Sequence, residues 1–368
     1  MKILQVSSAT TIGGGEVHVI DLCQALQQRG HDVHLAARPG SPLVERLVSR
    51  SVTCHHLPLR GSLDIDSAVR LSHLIRQYQI DVIHGHVARD YLVCALARRL
   101  AGRSQLVLTR HHYLPIKGHW GYRTMFRQVG RIIAVSESVR RGLIASLNLP
   151  PGQVMTIPNW VNPDEYRALP DPQRARARFD VQQPLVVGMV GQMTPAKGPE
   201  EFIRAAALVA SLRDDVAFLV AGETEERGFQ FTERLRQLTR ELSVSDRIHF
   251  LGRVEDLPGL FAALTMLVLP SWQEAFSIVL IQAMAAGLPV IASDVGGPAE
   301  IVTHGVTGLL VPPRRVEALA QAINRLLGDS DLRRRLGVAA RKEVETRFER
   351  ETVINQIESV YRDVISHP

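Results

Sequence analysis

Short apolar runs alternate along this chain with longer stretches whose apolar residues recur at helical spacing. The run "KILQVS" gives way to a glycine-rich turn and then to "EVHVIDLCQALQQRG", where Val17, Ile20, Leu22 and Leu26 fall at helix-like intervals and Gly30 closes the helix. "HDVHLAA", "DVIHGH", "QLVLTRHH" and "RIIAVS" read as further strands, the last leading to a helix capped by Ser136. Alternation of this kind predicts an α/β fold with parallel strands and helices on both faces.

The pattern turns polar and proline-containing at "PDPQRARARFDVQQP", then restarts with "LVVGMV", a loop and a new helix. A length of 368 residues suits about two domains. The expected division is an N-terminal Rossmann-like domain over 1–166, a linker over 167–183 and a second Rossmann-like domain over 184–345. Residues 346–368 are expected as a closing helix that packs back on the N-terminal domain. Ligands of open parallel sheets bind beyond the C-terminal strand ends, so two such domains facing each other would enclose a cleft.

The stretch from Ala275 to Ala292 is mostly apolar and long enough for a membrane span. Gln282 at its centre and the Gly287–x–Pro289 break argue for a soluble helix followed by a strand. No low-complexity tract or short tandem repeat interrupts the chain.

Composition narrows the classes. Hydrophobic residues make up 45% and charged residues 22%, as in globular proteins with a large core. Cys23, Cys54 and Cys94 lack paired or metal-ligand spacing, which predicts reduced thiols in a cytoplasmic protein. The first strand begins at once, with no visible secretory signal. Charge is unevenly placed: residues 1–166 hold 19 Lys+Arg against 11 Asp+Glu, and the remainder 24 against 26. An anionic substrate, a membrane surface or a solvated basic face would each account for the excess. Basic residues are dispersed and no nucleic-acid module is recognisable, so no nucleic-acid partner is expected.

Three stretches carry chemistry. In "GQMTPAKGPEEF", Lys197 stands just before a helix with Pro199 at its first position, where free backbone amides favour an anion. In "TTIGGGEVHV", Gly13, Gly14 and Gly15 allow close approach of backbone to a ligand, but His18 occupies the last glycine position of a dinucleotide fingerprint. That disfavours a nicotinamide-dependent oxidoreductase. In "PSWQEAFSIVLIQAM", Glu274 lies in a turn before a helix and Gln282 about two turns along it. Glu274 reads equally as a sugar ligand and as a plain helix-start carboxylate.

Taken together, "GGGE", "RGHDV", "DVIHGH", "LTRHH", "IAVSESVR", "IPNWVNPDEY", "GQMTPAKG" and the block from "FLGRVEDLPGLF" to "GVTGLLVPP" resemble the retaining glycosyltransferases of family 4 over nearly the whole chain. The resemblance implies the two-domain GT-B fold and transfer of a sugar from a nucleotide-sugar donor to a glycan or lipid-linked acceptor, as in cell-surface polysaccharide or glycolipid synthesis. It further implies retention of anomeric configuration and no cofactor beyond the donor. By position it assigns Gly14 to the donor diphosphate, Lys197 to neutralising it, Glu274 to the transferred sugar and His111 to the reacting sugar. Amides around Phe276, Ser277 and Ile278 would face sugar and phosphate, residue 282 the ribose diol and Val254 the base.

Two positions depart from the family pattern. Gln282 stands where a second glutamate is usual, and Gln192 where an arginine is frequent. Weaker or redirected donor binding would follow, and a non-catalytic nucleotide-sugar-binding homologue is the non-enzyme alternative. No Asp-x-Asp or clustered His/Cys/Asp pattern marks a metal site, and none is expected. His84 and His86 read as scaffold or cleft-polar groups. The segment "HHYLPIKGHWGYRTMFRQVGR" mixes Trp120, Tyr122, Met125 and Phe126 with Lys117, Arg123, Arg127 and Arg131. It reads either as an interfacial helix on an anionic membrane, which would place the protein at the inner face of the plasma membrane, or as a helix burying its aromatics.

Overall fold

In the computed structural model, β1 (Lys2–Ser7), β2 (Asp32–Ala37), β3 (Thr53–His56), β4 (Val82–Gly85), β5 (Gln105–Arg110), β6 (Arg131–Ala134) and β7 (Val154–Thr156) form one sheet. Its order is β3-β2-β1-β4-β5-β6-β7, with parallel pairing throughout. Residues 1–48, 52–113, 125–223 and 229–367 are described. Central strands are buried on both faces, so Ile3, Leu4, Val6, Val82, Ile83 and Leu106 show almost no surface, as helix-covered parallel strands require.

A second sheet holds β8 (Leu185–Val190), β9 (Val216–Ala221), β10 (Ile248–Gly252), β11 (Met266–Leu269), β12 (Val290–Ser293) and β13 (Leu309–Val311), in the order β10-β9-β8-β11-β12-β13. It too is parallel. The protein is therefore α/β, with two Rossmann-like parallel-sheet domains. In each sheet the strand order reverses direction beside the first strand: β1 lies between β2 and β4, and β8 between β9 and β11. Loops leaving the carboxyl ends at such a point are where open α/β sheets hold ligands.

The chain passes between two units twice. Unit 1 is Met1–Asn159 with Arg350–Pro368, and unit 2 is Trp160–Glu349. Residues 167–183, expected as a linker, lie inside unit 2. Asp171 accepts the N–H groups of Gln173 and Arg174 at 3.0 Å, Pro172 opens the helix Pro172–Ala177, and Ala175 packs with Ala262 and Ala263. An N-cap aspartate followed by proline is a helix start, and that local signal outweighs the polar composition.

Within unit 1, the helix Arg350–Ser366 buries Val353, Ile354, Ile357, Val360, Tyr361 and Val364. Glu358 on the same helix accepts from Arg29 at 3.0 Å and pairs with His31 at 2.6 Å. Burial raises the proton affinity of Glu358, but the His31 hydrogen bond and the charges of Arg29, His31 and Arg362 outweigh it and hold the carboxyl below its usual range.

The long apolar stretch resolves into the helix Ile278–Ala285, a turn through Gly287 at φ +76°, and β12. No described helix is long and apolar enough to cross a membrane.

Candidate active site

In unit 2 the loop after β8 and the loop after β11 are fastened to each other. Pro195–Lys197 makes one tight turn, Gly198 takes φ +73°, and Pro199 begins the helix Pro199–Ala210. A side chain at Gly198 would be strained and would also collide with the Pro270 carbonyl, so only glycine admits this approach. The Trp272 N–H donates to the Ala196 carbonyl at 2.8 Å across the same seam. The result is that Lys197 meets Glu274 in an ion pair, with their side chains 27% and 13% exposed. Behind it, the Glu274 carbonyl accepts from the Gly297 N–H at 3.0 Å, which pins the 274 turn to the helix Gly296–Ile301.

The other residues of this unit that the sequence points to the donor lie as follows. Phe276 and Ser277 are buried and Ile278 is half-buried at the start of its helix. Ser277 occupies the N-cap position without a side-chain capping bond. Gln282 is half-buried on that helix. Gln192 is exposed just after β8. Val254 follows β10, two strands from β8, and is half-buried.

In unit 1 the corresponding loops follow β1, β4 and β5. Gly14 is the exposed first residue of the helix Gly14–Gln28, so its N–H is among the amides without an intrahelical acceptor. The Gly13 N–H is already taken by the Glu16 carboxylate at 2.9 Å. A methyl group at Gly15 would lie 3.4 Å from the His111 ring, so the glycine loop and His111 are neighbours.

His111 is one of a buried histidine group. Candidate ligand nitrogens of His18, His86 and His111 all lie within 4.8 Å of one another, close enough to surround a metal ion. This corrects the reading that no histidine cluster exists: the three come from the first helix and from the ends of β4 and β5, so spacing in sequence could not display them. Hydrogen bonds already occupy the facing nitrogens, with His86 Nδ1 at 3.3 Å from His111 Nε2 and His86 Nε2 at 2.6 Å from Gln5 Oε1. The His84 ring lies tilted beside that of His86, and His84 reaches the Tyr361 hydroxyl at 2.6 Å and Thr109 Oγ1 at 2.7 Å. Burial is the main cause that pulls His18 and His84 down to about 3 and sets His86 and His111 well below the usual imidazole range. All four are neutral near pH 7.

Some participants escaped the sequence reading. Gln5 is fully buried in an otherwise apolar strand, and a buried amide in such a place requires partners. Tyr361 looked like any apolar helix position. Trp272, two residues before Glu274, lies under the Arg314 guanidinium at 3.9 Å from its ring centre. Of the basic aromatic segment, residues 114–124 lie outside the described residues, while Met125 and Phe126 are buried.

Comparison with known proteins matches both units. The family "Glycosyl transferases group 1" matches residues 172–343, and "Glycosyltransferase Family 4" matches residues 12–165. N-acetyl-alpha-D-glucosaminyl L-malate synthase of Bacillus anthracis is 26% identical over 99% of this chain and 98% of its own length. A GDP-mannose-dependent alpha-(1-6)-phosphatidylinositol monomannoside mannosyltransferase of Mycobacterium tuberculosis is 28% identical over 80% of this chain and 79% of its own. Among solved structures, Anabaena HepE in complex with UDP and glucose superposes with a TM-score of 0.86 at 25% identity, over 98% of each chain.

Proposed function

The chain belongs to glycosyltransferase family 4, and from that premise we propose that it transfers a sugar from a nucleoside diphosphate donor to a glycan or lipid-linked acceptor with retention of configuration. The observation that carries the proposal is the Lys197–Glu274 pair at the strand-order reversal of unit 2. Departure of a nucleoside diphosphate builds negative charge on phosphate oxygen and positive, oxocarbenium-like charge on the sugar. A lysine and a carboxylate set side by side by glycine-dependent backbone contacts answer both charges. Before donor binds, each neutralises the other. An arriving diphosphate takes over Lys197 and leaves Glu274 to the sugar.

The remaining roles follow the same division. The Gly14 amide serves the diphosphate, amides of Phe276, Ser277 and Ile278 serve phosphate and sugar, and Gln282 accepts from the ribose diol. Val254 lies beside the base, Gln192 contributes without charge, and His111 contacts the reacting sugar. No metal or other cofactor takes part. The setting is the cytoplasm or the inner face of the plasma membrane, in polysaccharide or glycolipid synthesis. The relatives use different donors and acceptors in their names, so donor identity is the decisive measurement. UDP-, GDP- and ADP-sugars are screened by calorimetry and by slow hydrolysis. Micromolar binding of one donor with measurable hydrolysis is expected. Tight binding without turnover on any acceptor makes the chain a nucleotide-sugar-binding homologue, and binding of NAD with no nucleotide sugar bound overturns the reading.

A further inference from the structure

The hydrogen bonds around His111 run in a single direction set by the orientation of the Gln5 amide, and from it donor–acceptor rules give each link in turn. Gln5 Oε1 only accepts, so His86 carries its hydrogen on Nε2, 2.6 Å away. Neutral His86 then has a bare Nδ1, and His111 Nε2 at 3.3 Å must donate to it. That leaves His111 Nδ1 as a bare lone pair, buried and without a hydrogen-bond partner among the described residues. On the other side, Gln5 Nε2 donates to the Tyr361 oxygen at 3.3 Å. The Tyr361 hydrogen goes to His84 Nδ1 at 2.6 Å, and His84 Nε2–H goes to Thr109 Oγ1 at 2.7 Å.

We propose that Gln5 and Tyr361 are positioning residues that hold His111 in the Nε2–H tautomer, presenting Nδ1 as a hydrogen-bond acceptor for a ligand hydroxyl. The amide of Gln5 is the selector. Turned by a half rotation, it would offer NH2 to His86, move the His86 hydrogen to Nδ1 and convert His111 into an Nδ1–H donor. Tyr361 ties that rotation to the far arm: a turned amide would take the Tyr361 hydrogen, and the His84 and Thr109 hydrogens would have to reverse with it. The helix Arg350–Ser366 thereby sets the chemistry of a residue more than two hundred positions earlier in the sequence. Linked hydrogen bonds polarise one another, so the ordered chain is more selective than any single bond in it.

The role of Nδ1 toward a sugar or acceptor hydroxyl rests on the glycosyltransferase reading, whereas the tautomer does not. Histidine 15N NMR of the full chain at neutral pH separates the two, with the His111 signals assigned from the spectrum of His111→Gln. Wild type is expected to show a protonated Nε2 and a pyridine-like Nδ1. Tyr361→Phe keeps the ring that fills the core, and it is expected to give mixed tautomers at His111, with about tenfold lower turnover and an unchanged donor KM. Thr109→Val, which removes the terminal acceptor, is expected to shift the mixture in the same direction by less. A wild-type His111 protonated on Nδ1 overturns the proposal. So does Tyr361→Phe with wild-type tautomer and turnover. A tautomer shift in a protein that acts on no nucleotide sugar would overturn the functional reading alone.

Discussion

Units 1 and 2 share a plan and differ in what they place on it. Both are parallel sheets whose strand order reverses beside the first strand, and both set candidate residues near the carboxyl ends of strands: Lys197 and Glu274 after β8 and β11, His111 after β5. Unit 2 fills the place with opposite charges, Lys197 and Glu274, on a backbone seam sealed at Gly198. Unit 1 fills it with neutral imidazoles, an amide, a phenol and a hydroxyl. The same architecture thus supports two electrostatic styles. Formal charge suits a group that becomes ionic as its bond breaks. Oriented neutral groups suit hydroxyls that must be held without being ionised.

Substitutions at the charged pair test this contrast most severely. Lys197→Ala is expected to lower turnover by ~10²–10³-fold with melting behaviour preserved, the usual cost of losing one preorganised donor to a developing oxyanion. Near-normal turnover at saturating donor would remove the phosphate role. Glu274→Gln is expected to lower turnover by ~10–100-fold even when donor saturates, in line with losing one hydrogen bond to a charged group. A change confined to KM would place Glu274 in binding rather than in chemistry.

Gln282→Glu sharpens the division between binding and chemistry within unit 2. A charged acceptor exceeds a neutral one by about 1 kcal/mol, so donor KM should fall roughly fivefold with little change in kcat. On the proposed role of Gln282, its contact with the ribose is the same before and during the reaction, which confines the effect to uniform binding. A folded but inactive variant would give the neutral amide a different purpose.

The style of unit 1 predicts smaller effects. Glu358 has a folded pKa below its ordinary value near 4.5, so its contribution is fully present above that value and fades as pH falls through the depressed one. Glu358→Gln is expected to lower the melting temperature by ~2–4 °C at pH 7, for a loss of about 1 kcal/mol, and to lose part of the difference from wild type in acid. An unchanged acid profile would mean that the pair with His31 and Arg29 adds no stability. Exhaustive chelation is the last test, with no change in turnover expected. Loss restored by zinc would convert the His18, His86 and His111 group into a metal centre.

How much of this was legible depended on distance along the chain. Local rules worked where one turn decides the outcome: Ser136 accepts from the Val139 N–H, Pro199 opens its helix, and Gly287 follows the helix that precedes β12. They also contained an answer that composition obscured, since Asp171–Pro172 announced a helix inside a stretch read as linker. The pairing of Lys197 with Glu274 was invisible because each charge has its own local explanation, helix start or turn. The histidine chain was invisible for a further reason. Its members come from β1, the ends of β4 and β5, and the helix Arg350–Ser366, and only the folded sheet sets them side by side. Gln5 gave the one available signal, a polar residue within the apolar run "KILQVS".

The division at Asn159 and Arg350 has a consequence for how the protein is made. During synthesis, the seven strands of unit 1 emerge first, yet the helix that carries Tyr361 is translated only after all of unit 2. Domains ordinarily fold in the order they leave the ribosome. Here the earliest sheet is made before the helix that completes its unit, so its buried amide and imidazoles first lack the phenol beside them, while the later unit is contiguous in the chain. A chain that stops before Arg350 would carry the complete charged pair and an unfinished histidine chain.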